Sequence, residues 1–167
     1  NAGAPAAGGT MISCFATGNV LGQTVVGGFV GQNNDMDSPI MNSFSTGSVN
    51  AIVDMAGGFV GNAIGGVFTS NYSAPASVVS GGANVFDFVG ANTLSVGSTA
   101  NYYMDTTALG ETQATSVTAA QLNNVALAGF DFAVAPEWNV TTSNPFSPNG
   151  QAPIQNWACT LPGVTCL

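Results

Sequence analysis

Eight carboxylates are the only charged side chains in this 167-residue chain, which has no Lys, no Arg and no His. That set allows one common catalysis, a carboxylate pair acting on a glycosidic bond. Glu111 and Glu137 stand in polar surroundings and Asp131 lies between two Phe residues, yet no spacing pairs these acids. Other chemistries are excluded outright. A His-based triad, a Schiff-base lysine, an imidazole-ligated zinc and a phosphate clamp each need a residue type that is missing. The chain therefore reads as a non-enzyme without a cofactor, a carboxylate-based glycosidase being the last alternative.

The linker from Gln32 to Pro39 is the one loop with metal-ligand character. Asp35 and Asp37, with Asn33, offer oxygen atoms of the kind Ca²⁺ takes. Asn and Asp are equally the residues of an ordinary solvated turn, which is the preferred reading. Cys159 and Cys166 bracket a Pro162-Gly163 turn at a spacing that suits a loop-closing disulfide. Such a pair implies an oxidising, extracytoplasmic location. Cys14 is left over, with Ser43 and Asn71 as its counterparts in the repeat described below. It is read as a small ladder residue in preference to an intermolecular bridge.

Net charge of −8 repels nucleic acid and anionic lipid, and no basic residue is present to displace counterions. Charged residues make up 5% of the chain and hydrophobic ones 46%, so the surface must be built from small uncharged residues. Such a surface is suited to meeting another protein. No apolar run is long enough to span a bilayer. The start at Asn1 is expected to reflect either a removed signal segment or a piece of something longer.

The elements that must carry these residues announce themselves as a repeat. Phe15-Ala16-Thr17-Gly18 precedes Gly28-Phe29-Val30-Gly31, Phe44-Ser45-Thr46-Gly47 precedes Gly58-Phe59-Val60-Gly61, and Tyr72-Ser73-Ala74 precedes Phe88-Val89-Gly90. The aromatic openers are 29 and 28 residues apart. A period of this size signals stacked coils. Val, Phe, Thr and Ser strings broken by Gly-Gly and Asn-Asn indicate strands. The expected fold is all-β: a β-solenoid, a parallel β-helix-like stack of about 29-residue repeats over residues 10–100. Residues 1–9 are expected to form a flexible or partner-bound arm, and 101–167 a C-terminal cap with the disulfide loop.

Strand alternation places Phe29, Phe59 and Phe88 on one face and Val30, Val60 and Val89 on the other. Asp87 occupies the position of Gly28 and Gly58, and an unpaired carboxylate is costly to bury. The Asp87 face is thus expected to point outward, which makes the Phe residues an internal ladder and Val30, Val60 and Val89 an uncharged strip for self-assembly. For the opening strand, Phe15/Thr17/Asn19 and Cys14/Ala16/Gly18/Val20 remain equally suitable inner faces. In the tail, Asn101-Tyr102-Tyr103-Met104-Asp105 echoes the opener once more, with Tyr103 aligned to Tyr72. Thr118 to Asn124 reads as a short helix with Thr118 as N-cap and Gln121 as its capping-box partner. Phe130, Phe132 and Trp138 are aromatic anchors suited to closing the end of a stack.

Ile12-Ser13-Cys14-Phe15-Ala16-Thr17-Gly18-Asn19-Val20, followed by Val26-Gly27-Gly28-Phe29-Val30-Gly31, resembles the GLUG-motif repeat of large bacterial and archaeal surface and secreted proteins. The second copy fits nearly as well; the third departs, with Phe86-Asp87 for Gly-Gly and an added Pro75. The tail is similar to the segment that follows such repeats, with Tyr103 where Trp is more common. The resemblance runs from about Gly8 to Val140 and offers no catalytic residue to carry over. It implies β-solenoid stacks in adhesins, surface layers and protease-associated stalks.

The leading expectation is an extracellular or cell-surface structural subunit of a self-assembling fibre, sheath or adhesin. Its partners are other copies joined head to tail, with no nucleic acid and no membrane insertion. The alternative is a module gripping a glycan or host protein through aromatics such as Tyr102, Tyr103 and Trp157.

Overall fold

The computed structural model describes residues 9–34, 37–92, 98–104, 113–118, 121, 138–139 and 154–155. They form an all-β parallel solenoid. Its first coil comprises β1 (Met11–Ile12), β2 (Phe15–Ala16), β3 (Val20–Gly22), β4 (Val25–Gly27) and β5 (Val30–Asn33). The second comprises β6 (Ile40–Met41), β7 (Phe44–Ser45), β8 (Val49–Ala51), β9 (Met55–Gly57) and β10 (Val60–Ala63). The third has β11 (Phe68–Thr69), β12 (Tyr72–Ser73), β13 (Val78–Ser80), β14 (Val85–Phe86) and β15 (Val89–Asn92), so Pro75 does not break its strand order. After it come β16 (Ser98–Thr99), β17 (Tyr102–Met104) and β18 (Thr115–Val117).

Strands of two to four residues are too short to stand alone; those of the three coils are held by parallel pairing with counterparts one coil away, and β18 pairs in the same way with β17. The stacks run β1-β6-β11-β16, β2-β7-β12-β17-β18, β3-β8-β13, β4-β9-β14 and β5-β10-β15. Phe15, Phe44, Tyr72 and Tyr102 are in register. The aromatic echo in the tail is therefore Tyr102. Tyr103 instead pairs with Ser73, because the step from Tyr72 to its counterpart is 30 residues, one shorter than the alignment on Tyr103 requires. Separately, β19 (Trp138–Asn139) and β20 (Ile154–Gln155) pair antiparallel.

Two devices turn the chain at fixed places, the first in every coil and the second in the first two. Ser13, Asn42, Ser70 and Ala100 all adopt left-handed backbone, with φ of 53°, 50°, 55° and 53°. They form a corner between the first and second strands of successive coils. At the fourth corner, Gly27-Gly28 and Gly57-Gly58 let the backbone fold on itself. A Cβ on Gly27 would strike the Val30 carbonyl, and one on Gly28 the Gly58 carbonyl of the next coil.

That corner overturns the expected outward strip. Alternation would run through Gly-Gly-Phe-Val only if it were one straight strand, and β4 ends at Gly27 while β5 begins at Val30. Across the bend, the Phe29 and Val30 N–H groups both donate to the Phe59 carbonyl, at 2.9 and 3.1 Å. Phe and Val consequently enter the same interior. Phe59, Val60, Phe88 and Val89 pack in one core cluster with Ile40, Ala63, Phe68 and Tyr103, and Phe29 and Val30 lie against it. Val60 and Val89 are buried and Val30 is half-buried, so the three do not form an outward strip. Asp87, whose assumed exposure motivated the assignment, is itself buried. A second cluster, Val26, Val49, Ala51, Ala56 and Val78, lies between the stacks of β3 and β4.

Candidate functional site

The Phe29, Phe59 and Phe88 rings stack at centroid spacings of 4.9 Å with interplanar angles of 3° and 10°. This spacing is close to that of paired strands, so the rings follow the backbone without distortion. A second column runs Phe15–Phe44 at 5.2 Å and Phe44–Tyr72 at 4.9 Å. On the opposite face of those strands Ser45 donates to the Gly58 carbonyl at 2.7 Å. Tyr103, in the same column, joins the Phe59–Phe88 cluster. The Ala16/Ser45/Ser73 face thus points to the Phe29 ladder, and the aromatic face is buried as well at Phe44 and Tyr72. No parity argument separates two faces that are both covered.

Immediately after the left-handed corner stands a polar ladder made of Cys14, Ser43, Asn71 and Asn101. Asn71 Oδ1 accepts from the Ser43 N–H at 2.9 Å, while its Nδ2 donates to the Ile40 carbonyl at 2.8 Å and to Asn101 Oδ1 at 3.1 Å. Asn101 Nδ2 donates to the Phe68 carbonyl at 2.7 Å. Lower in the stack, Ser43 Oγ accepts from the Cys14 N–H at 3.2 Å. Cys14 is a half-buried free thiol that donates to the Ile12 carbonyl. Its place is the first rung of a structural ladder.

Several expected site residues are not brought together. The Asn33 amide donates to the Ser38 carbonyl at 3.1 Å, so it braces its own turn, and Asp37 is exposed. Asp35, the other member of that Ca²⁺ candidate, lies outside the described residues, as do Glu111, Asp131, Cys159, Cys166 and Trp157. The same holds for residues 1–8 of the arm and for Phe130 and Phe132. Among the described residues no three His, Cys, Asp or Glu side chains gather as a metal site. Tyr102 and Tyr103 are buried and offer no exposed aromatic platform. Burial pushes the Tyr102 phenol above its ordinary pKa of 10.0. Thr118 and Gln121 form the anticipated capping box, the Thr118 N–H donating to Gln121 Oε1 at 2.9 Å and the Gln121 N–H to Thr118 Oγ1 at 3.2 Å. Residues 122–124 of that segment are outside the described residues.

Among the described residues, what remains exposed and apolar falls mostly in two places, with Val67 apart from both. One is the flank: Leu21, Asn50 and Val79 share a column on the outer face of β3, β8 and β13, beside the Ile52-Val53 turn, and Leu21 is 69% exposed. The other is the end of the stack at the first coil. Met11 and Ile12 are exposed there, and Phe29 and Val30 are only half-buried although Phe59 and Val60 one coil on are fully buried. Sequence reasoning missed the exposed flank. The absence of any charged residue before Asp35 marked the first coil as different.

Compared with protein-family models, curated proteins and solved structures, the chain matches nothing in any of the three.

Proposed function

We propose that the chain is an extracellular structural subunit of a self-assembling surface fibre, sheath or adhesin, joined to other copies through the open end of its solenoid. The observation that carries this reading is the first coil. Among the described residues, its five strands pair only with the second coil, and its apolar ladder positions are more exposed than their buried counterparts above. Exposed strand edges recruit further strands, which makes this end a natural place for another protein to add. The resemblance to GLUG-motif repeats supports the cell-surface setting. Neither nucleic acid nor membrane insertion is part of the proposal: the chain has no cation, and among the described residues no helix is long and apolar enough to cross a membrane.

The exposed flank at Leu21, Val79, Ile52 and Val53 favours a second reading, a module that grips a host protein. Negative-stain electron microscopy of the purified chain, concentrated without any added ligand, separates the two. The subunit reading expects end-joined particles longer than one solenoid. Uniform single particles at every concentration would remove it and leave the binding module.

A further inference from the structure

Resting on the subunit reading, we infer that the contact made by the chain alone is head to head: the first coils of two copies meet across a two-fold axis, and this contact closes at a pair, the building block of the larger assembly. Three observations lead there. All eight acids lie at position 35 or beyond, so the first coil is the only one of the three without charge. Two molecules of net charge −8 meet with least repulsion where their charges are farthest apart. Joined through their first coils, the two acid-bearing second coils are separated by three strand spacings, about 14 Å, which exceeds the screening length of about 8 Å at physiological salt.

The backbone offers the matching chemistry. The Val20 N–H donates to the Ser48 carbonyl, and the Met11 and Ser13 N–H groups donate to Pro39 and Met41. Alternation along a parallel ladder therefore turns the Leu21 and Ile12 N–H groups away from the second coil, toward the side on which no described strand pairs with them. A two-fold axis normal to the strands lays an identical edge antiparallel against this one, with inward side chains still inward.

The far end is not equivalent. In the same columns Asp87, Phe88 and Val89 are buried, with Tyr103 and Ala114 in or against their cluster. Head-to-tail joining would need those columns open.

Sedimentation velocity on the full chain across a wide concentration range tests the inference, with far-UV circular dichroism confirming that each variant folds. The expected result is one monomer–dimer step and no larger species. Ile12→Asp and Leu21→Asp, both at exposed positions of the first coil, each weaken the dimer at least ~10-fold by placing like charges at the join. Asn50→Asp, in the Leu21 column but one coil inward, leaves it within about 2-fold, because screening has reduced the repulsion there. Growth beyond the dimer means head-to-tail addition and overturns the two-fold pairing while the subunit reading stands. A dimer weakened equally by Asn50→Asp and Leu21→Asp means flank-to-flank contact and does the same. A chain that stays monomeric at all concentrations overturns the subunit reading itself.

Discussion

At the residue scale the fold depends on a few side chains whose polar atoms replace backbone partners at the first corner. Asn71 is fully buried and serves Ser43, Ile40 and Asn101 at once. Asn71→Ala takes the acceptor from the buried Ser43 N–H and one of its donors from the Ile40 carbonyl, which keeps its place in the β6–β11 ladder. At roughly 1–3 kcal/mol for the orphaned N–H, the expected loss is of that order, read from urea unfolding curves. The corner itself carries a smaller cost. Ala100 has φ of 53°, a region that an Ala side chain enters at about 1 kcal/mol and Asn tolerates better. Ala100→Asn is accordingly expected to raise the unfolding midpoint, whereas the same change at Ala56, within β9, is expected to lower it.

At the element scale, stacking decides which residues each strand accepts. Gly58 faces the Asp87 carbonyl so closely that a Cβ has no space, and the contact is backbone, which cannot swing aside. Gly58→Ala is expected to destabilise the stack by more than 2 kcal/mol, as overpacking of a rigid site does, and to shift the denaturation midpoint accordingly. Asp87 is accepted in the same column because, among the described residues, β14 has no further strand beyond it. The Tyr102 phenol sets an alkaline limit. Its pKa is raised by burial, so the stability it contributes is complete below pH 10 and is lost as pH rises through the folded-state value. Thermal melts should show this decline, and Tyr102→Phe should make it shallower. Much of this scale could be read from the residues: the period, the parallel stacking and the in-register rings at 29, 59 and 88 follow from identical motifs at nearly constant spacing. The direction of Val30, Val60 and Val89 could not, because alternation holds only within a strand and Gly27-Gly28 make a corner. The Cys14–Ser43–Asn71 column was visible as a substitution series, but not the left-handed residue before each rung.

At the scale of the whole molecule, composition and fold act together. With no cation in the chain, contacts between copies have no ion pairs for salt to weaken, while the repulsion between −8 subunits is screened by it. Association measured by light scattering should therefore hold or strengthen as sodium chloride is raised; steady weakening would point to a partner of opposite charge. Amide hydrogen exchange, compared between dilute and concentrated protein, addresses the open first coil most directly. Self-association through that coil predicts that protection of the Ile12 and Leu21 amides rises with concentration while that of the Val79 amide, in the third coil, does not change. First-coil amides that exchange equally fast at every concentration would contradict it.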